Sequence, residues 1–131
     1  SNIRQEIWVK LLGNLAFNPV SALTKASLAE IAADPDVSGV VRAMMEEAQA
    51  VATALGIELP ISIDQRMAGA EKVGDHKTSM LQDVEAAKPT EIEGLVGTVL
   101  ELGRMFHQPM PYTDAVYACA KLLSVNSVAG R

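Results

Sequence analysis

Three polar residues recur at four-residue intervals near the start of the chain: Lys10, Asn14 and Asn18. Because four residues exceed one helical turn by about 40°, a helix would place all three on one face. One lysine and two amides can converge on a small 2-keto acid if a hydroxyl and a carboxylate join them. The same spacing also suits a solvated lysine with two polar neighbours, and Asn18 before Pro19 is ordinary turn chemistry.

The hydroxyl and the carboxylate that would complete such a site are Ser79 and Glu91. Both also have structural explanations, since Ser79-x-x-Gln82 and Thr90-x-x-Glu93 each fit a capping box. Glu91 would then lie in the first turn of a helix, where the helix dipole favours a carboxylate. The two roles are compatible, because a helix N-terminus is already suited to binding anions.

Helical periodicity dominates the chain and places these residues on helices. No alternating strand pattern of useful length competes with it. The first helix is expected to end at Asn18-Pro19, since a residue before proline avoids the helical region. Asp34-Pro35 is expected to cap and start a helix that ends at Gly56. The first helix is expected to carry an apolar stripe every four residues, with Leu12 beside it: Ile3, Ile7, Leu11 and Leu15.

The fold class predicted for the whole chain is all-α, with six to eight helices. The last helix is expected to run from about Tyr112 to Leu123, followed by a fraying tail. The other predicted helices cover residues 19–24, 27–33, 63–73 (ended by Gly74) and about 90–105.

Composition and charge limit the classes of function that the chain can have. The chain has 131 residues, of which 49% are hydrophobic, and this is enough for one domain with one core. Its net charge of −5 and lack of a basic cluster disfavour nucleic acid and anionic membranes as partners. The sequence has no stretch of 18 apolar residues, so no membrane-spanning helix is expected.

The residues that bind metals or form disulfides are few. The single cysteine, Cys119, permits no intrachain disulfide, suits a reducing cytoplasm and is expected to be buried. His76 and His107 are far apart and lack partners at ligand spacing, so no metal site is expected.

The two polar runs together carry a family resemblance. The block from Trp8 to Thr24, a tryptophan-x-lysine leading into two asparagines, and the run from Ser79 to Glu93 resemble the C-terminal domain of ketopantoate reductase (2-dehydropantoate 2-reductase). The resemblance extends to Asp114–Tyr117 and so covers nearly all of the chain. One departure is small: Glu93 stands where many relatives carry aspartate.

The resemblance implies a role for each candidate residue. Lys10 matches the general acid that gives a proton to the keto oxygen as NADPH delivers hydride to carbon. Asn14 and Asn18 match the amides that place the substrate and the lysine. Ser79 matches a hydroxyl that binds the region of the substrate carboxylate. Glu91 matches the carboxylate that bonds the substrate hydroxyl close to the lysine. A cationic donor suits such a reaction, because negative charge develops on the keto oxygen.

The resemblance also implies a domain organisation. Residues 1–131 would form one helical substrate-binding and dimerisation domain, similar to the C-terminal domain of 6-phosphogluconate dehydrogenase-like reductases. NADPH would be bound mainly by an N-terminal Rossmann domain, whose G-x-G-x-x-G motif does not occur here. The chain alone is therefore expected to be inactive. Residues 1–2 are interpreted as the scar of a cleaved tag, with native chain expected before Ile3.

Two alternatives stay open. The first is a related reductase that acts on another 2-keto acid. The second is a stand-alone helical module that self-associates or binds a partner. A homodimer is expected in any case, because removal of a cofactor domain exposes apolar surface that tends to be covered.

Overall fold

The computed structural model describes residues 2–131, and all regular structure in that range is helical, which confirms the predicted all-α class. Ser1, the first residue of the proposed tag scar, lies outside the described residues. Within residues 2–131, no helix is both long and apolar enough to cross a membrane. Seven α-helices and one π turn follow one another: α1 (Ile3–Thr24), α2 (Leu28–Ala33), α3 (Pro35–Ala54), α4 (Ile63–Val73), α5 (Ser79–Glu85), the π turn (Glu93–Gly97), α6 (Thr98–Met105) and α7 (Pro111–Val128).

The first helix, α1, lies at the centre of the molecule and packs against α3, α5 and α7. Its buried face differs from the predicted stripe. Leu15 is fully buried, but Ile3 and Ile7 are 71% and 56% exposed. The prediction was wrong for these two because α1 carries apolar residues on several faces, so a four-residue repeat cannot tell which face its neighbours cover. The buried face is formed by Trp8, Leu12, Leu15 and Ala16.

Pro19 does not end α1, which continues to Thr24. A proline inside a helix removes one backbone hydrogen bond and crowds the preceding turn, at a cost of about 3 kcal/mol. The residues that follow offset this cost by burial, since Val20 and Ala22 lie in the core. The helix ends instead at Lys25, whose φ of 61° is left-handed.

The predicted boundaries of α3 are confirmed. The Asp34 carboxylate accepts two N–H groups of the first turn at 2.8 and 2.9 Å, and Pro35 occupies the first helical position. At the other end Gly56 has a φ of 78°, and the Ile57 N–H donates to the Ala52 carbonyl at 2.9 Å. This is the Schellman arrangement, in which glycine avoids the strain that a side chain would bring.

The last helix is longer than predicted and reaches Val128. Two serines in its supposed tail explain the difference. The Thr90 hydroxyl donates to Ser124 Oγ at 3.1 Å, and the Ser127 hydroxyl donates to the Val84 carbonyl at 2.7 Å. These bonds fix the C-terminal half of α7 to the segments around α5 and the π turn. Cys119, expected to be buried, is exposed on the outer side of the helix.

Candidate functional site

One face of α1 carries the three predicted polar residues. Lys10 is exposed, and Asn14 and Asn18 are half-buried. At about 100° per residue they span about 80° of the helix, on the side opposite the buried Leu12 and Ala16. Among residues 2–131, none of the three side chains makes a hydrogen bond or ion pair. The lysine charge and both amides are therefore available to a ligand.

Ser79 lies on α5, which packs against α1, but it does not cap that helix. Thr78 takes this role and accepts the Leu81 N–H at 3.2 Å, while the Gln82 amide donates to the Lys77 carbonyl at 3.1 Å. The predicted Ser79 capping box was therefore wrong by one residue. The consequence favours a ligand role, because the exposed Ser79 hydroxyl has no hydrogen bond within the described chain.

The loop before α5 is held in place by the start of α2. The Ser27 hydroxyl donates to the Asp75 carboxylate at 3.2 Å, and the Leu28 N–H donates to the His76 carbonyl at 3.3 Å. The Leu28 bond, and a second from the Ala29 N–H to the Gly74 carbonyl at 3.2 Å, supply partners to helix N–H groups that would otherwise be unsatisfied. They also fix the point from which Ser79 is presented.

Glu91 lies in a bend just before the π turn and is exposed. Its carbonyl accepts the Leu95 N–H at 2.8 Å, and its carboxylate folds over Gly94, where Oε2 would be 3.5 Å from an added Cβ. No ion pair or hydrogen bond joins the Glu91 side chain to another residue in the range 2–131. The carboxylate is thus open to solvent or to a ligand.

The π turn after Glu91 is fixed by α7. The predicted capping box of Thr90 and Glu93 does not form, because Glu93 instead accepts the Tyr117 hydroxyl at 3.1 Å. That hydroxyl is also 3.4 Å from where a Cβ on Gly97 would stand. Partial burial, and the hydrogen bond that the hydroxyl donates to Glu93, raise the pKa of Tyr117. A π turn inside a helix, called a π-bulge, is frequent at functional sites, and this one packs against α1.

A second cation lies beside the lysine face and was not anticipated. The Arg66 guanidinium, from α4, rests on Gly13, where an added Cβ would collide with it, and lies 5.9 Å from the centre of the Phe17 ring. Burial lowers the pKa of Arg66. No carboxylate within residues 2–131 pairs with it. The only sequence signal was Gly13 itself, a glycine inside a helix one turn from Lys10.

The structure therefore brings together the elements that carry the predicted residues. α1 contacts both α5 and the π turn. Among the residues described, no hydrogen bond or ion pair connects Lys10 with Ser79 or Glu91. The arrangement offers a cation and two amides on one helix, and a hydroxyl and a carboxylate on its neighbours. Such a set can bind a small polar anion and transfer a proton to it.

Comparison with known proteins decides the family. Residues 2–124 match the family model described as the C-terminal part of PanE/ApbA ketopantoate reductase. The chain belongs to the ketopantoate reductase family. It is 54% identical over 124 residues to the 2-dehydropantoate 2-reductase of Mesorhizobium japonicum, covering 95% of this chain and 38% of that protein. The resemblance drawn from the sequence is thereby confirmed.

Solved structures of ketopantoate reductases share the fold. A 2-dehydropantoate 2-reductase from Methylococcus capsulatus has a TM-score of 0.88 and 38% identity, over 96% of this chain and 44% of that one. A ketopantoate reductase from Staphylococcus aureus, described as dimeric, has a TM-score of 0.79 and 29% identity, over 97% and 45%. The chain thus spans less than half the length of the ketopantoate reductases it matches.

Proposed function

We propose that this chain is the substrate-binding and catalytic-lysine half of an NADPH-dependent 2-dehydropantoate 2-reductase. The parent protein would reduce ketopantoate to pantoate, on the route to pantothenate and coenzyme A. The observation that carries the proposal is the uncovered face of α1. Lys10 is exposed there beside two amides, and no carboxylate within the described residues pairs with it. Membership of the ketopantoate reductase family supports the same reaction class.

Lys10 would act as the general acid. Its ammonium group would face the keto oxygen, stabilise the negative charge that develops there and deliver the proton that completes the alcohol. Asn14 and Asn18 lie one and two turns further along the same face. Their amides can both donate and accept hydrogen bonds, so they can position the substrate and the lysine together.

Ser79 and Glu91 would bind the rest of the substrate from the neighbouring elements. The Ser79 hydroxyl would donate to the substrate carboxylate, and the Glu91 carboxylate would accept the substrate hydroxyl. Both side chains are exposed, and neither has a hydrogen bond within residues 2–131. A substrate with an acid at one end and an alcohol at the other fits this distribution of one donor and one acceptor.

The residues present fit a nicotinamide cofactor that is held mainly by another domain. The lysine face supplies polar groups for the reacting carbonyl, but the sequence contains no G-x-G-x-x-G phosphate loop. Bound NADPH would supply the hydride. We assign its binding to an N-terminal Rossmann domain of the parent. The exposed Ile3 and Ile7, on the same face as Lys10, support coverage of that face by a further domain.

We also propose that the parent is a cytoplasmic homodimer. Exposed large apolar residues cluster on α7, where Leu122 and Val125 are 61% and 57% exposed. The Staphylococcus aureus relative is described as dimeric. The exposed thiol of Cys119 suits a reducing compartment.

The first test is steady-state kinetics of the full-length parent with ketopantoate and NADPH. Lys10→Ala should lower kcat by about three orders of magnitude or more, because it removes both the proton donor and the cation. Lys72→Ala is the matched control, since Lys72 is exposed on α4 and should leave turnover unchanged. Equal activity of wild type and Lys10→Ala would overturn the assigned site.

The substrate is tested separately with a panel of 2-keto acids. Ketopantoate should show the highest kcat/KM. If the wild type reduces another 2-keto acid and not ketopantoate, the reductase assignment stands and the substrate is wrong. If the parent reduces none of them, the alternative of a non-catalytic helical module replaces the proposal.

A further inference from the structure

The outward side of α7 is apolar along its whole length. Six residues share about 80° of the helix, and none is charged. Leu122 and Val125 are 61% and 57% exposed, whereas Thr113 and Ala120 on the opposite side are buried. A helix that is apolar on both sides is normally covered on both sides. We name these six residues the outer strip: Pro111, Ala115, Ala118, Leu122, Val125 and Ala129.

The N-terminal end of the outer strip opens into an apolar groove of about 420 Å³. The groove lies between α3 and α7 and is lined by Val40, Tyr112 and Val116 together with Pro111 and Ala115 of the strip. No charged side chain lines it, so it offers nothing to a polar small molecule. Strip and groove together form one continuous apolar surface of the kind that binds protein.

Two charged residues on one edge of the strip indicate that the bound protein is a second copy of this chain. Asp114 and Lys121 are seven residues apart, which is about two turns, so they lie on the same flank of α7. Asp114 also contacts Arg104 at 3.6 Å, and Lys121 lies 5.4 Å from the centre of the Tyr117 ring. Opposite charges at this spacing are complementary to a second copy of the same helix that runs antiparallel. In a parallel pair this flank would instead face the opposite flank of the partner helix, which carries no charged residue, so neither charge would gain a partner.

We propose that the outer strip of α7 is the interface of a homodimer, in which two copies of α7 pack antiparallel about a twofold axis near Ala118. This rests on the self-association proposed above and names its surface. With Asp114 beside Lys121 of the partner subunit, Leu122 packs between the partner's Pro111 and the partner's Ala115. Small residues at the centre allow a close approach of the helices, and the charges form a polar rim. The interface is isologous, as a closed dimer requires.

The first experiment measures the oligomeric state of the full-length parent by sedimentation velocity over a range of concentrations. Wild type should be a dimer, and Leu122→Glu should raise the dimer Kd about 100-fold or more, because it buries a charge against an apolar surface. Leu122 is exposed within the subunit, so the variant should still fold, which circular dichroism checks. Val73→Glu is the matched control, since Val73 is 50% exposed on α4 and should leave the dimer intact.

Two further variants test the antiparallel register. Lys121→Glu should weaken the dimer about 10-fold by facing the partner's Asp114 with a like charge, and adding Asp114→Lys should restore it. In a Cys119→Ala background, Ala118→Cys should form a covalent dimer on mild oxidation. Ala68→Cys, on the exposed side of α4, should not.

The outcomes of these experiments separate failure of the interface from failure of the proposed function. A monomeric wild type overturns both the interface and the self-association, while the kinetic tests of the reductase are unaffected. A dimer that survives Leu122→Glu overturns the named surface only. If the wild type is monomeric and Leu122→Glu abolishes NADPH turnover, the strip is covered by another domain of the same chain and the homodimer is wrong.

Discussion

Gly13 shows how one missing side chain shapes the candidate site. Glycine inside a helix costs about 1 kcal/mol relative to alanine. At this position a Cβ would collide with the Arg66 guanidinium, which lies half-buried against α1 and close to the Phe17 ring. The glycine therefore lets a second cation approach the lysine face from α4. A better helix former at this position would displace that cation.

This coupling between Gly13 and Arg66 is testable by stability. Gly13→Ala should leave the free energy of unfolding nearly unchanged, because the gain in helix propensity is offset by loss of the contact between Arg66 and Phe17, worth about 0.5–1 kcal/mol. Gly39→Ala is the matched control, since nothing lies within 4 Å of its added Cβ on α3. It should stabilise the chain by about 0.5–1 kcal/mol. Denaturant unfolding of the 131-residue chain measures both changes.

A double variant isolates the interaction. In an Arg66→Ala background, Gly13→Ala should recover the stabilisation seen for Gly39→Ala, because nothing is left to displace. Equal stabilisation by Gly13→Ala and Gly39→Ala in the wild-type background would show that Arg66 does not depend on the glycine.

At the residue scale, the sequence predicted what depends on local spacing and missed what depends on distant partners. The shared face of Lys10, Asn14 and Asn18 follows from the helical period alone. The position of Arg66 does not, because it depends on how α4 packs against α2 and α3. The cap of α5 was misplaced by one residue because Thr78 and Ser79 are both cap formers, and the choice is fixed by the anchored loop.

At the scale of elements, α7 begins without a side-chain cap of its own and takes one from α3. Oε1 of Glu47 accepts both the N–H and the hydroxyl of Thr113, at 2.9 and 2.6 Å, and Oε2 accepts the Tyr112 N–H at 2.9 Å. Thr113 is fully buried. The helix dipole favours a carboxylate at this end of a helix. The Glu47 side chain therefore accepts the hydrogen bonds of the first turn of α7 and links this helix to α3.

Removing this cap should be costly. Glu47→Ala leaves the buried Thr113 hydroxyl and two N–H groups unsatisfied and should lower the free energy of unfolding by about 2–3 kcal/mol. Glu46→Ala, one residue away and exposed, should change it by less than about 0.5 kcal/mol. Thermal or denaturant unfolding compares the two. Similar small losses from both would mean that water replaces the cap.

The elements themselves were predictable to different degrees. The ends of α3 are local in origin, since Asp34 and Gly56 each act on adjacent residues. The continuation of α1 through Pro19 was not predictable, because burial further along the chain offsets the cost of the proline. The π turn is likewise held by a tertiary contact, the hydrogen bond from Tyr117 to Glu93.

At the scale of the whole molecule, the polar site and the exposed apolar residues of α1 share one face. Ile3 and Ile7 are 71% and 56% exposed beside Lys10. The matching relative from Mesorhizobium japonicum is much longer, since this chain spans only 38% of it. An apolar surface next to the proposed catalytic lysine is costly in water and useful beneath a second domain. Hence the helical period predicts the shared face of Lys10, Asn14 and Asn18, but it carries no information on what covers that face.

The same variant in two lengths of chain tests whether this face is covered. In the isolated 131-residue chain, Ile7→Glu should change the free energy of unfolding by less than about 0.5 kcal/mol, because Ile7 is exposed there. In the full-length parent the same change should lower Tm and raise the KM for NADPH, because it places a charge in a buried contact beside the cofactor. Val73→Glu, a similarly exposed apolar position on α4, should affect neither length of chain. Equal loss of stability in both lengths of chain would assign Ile7 to the core of this domain. No loss in either would mean that the lysine face is uncovered. Water would then compete with the substrate for Lys10.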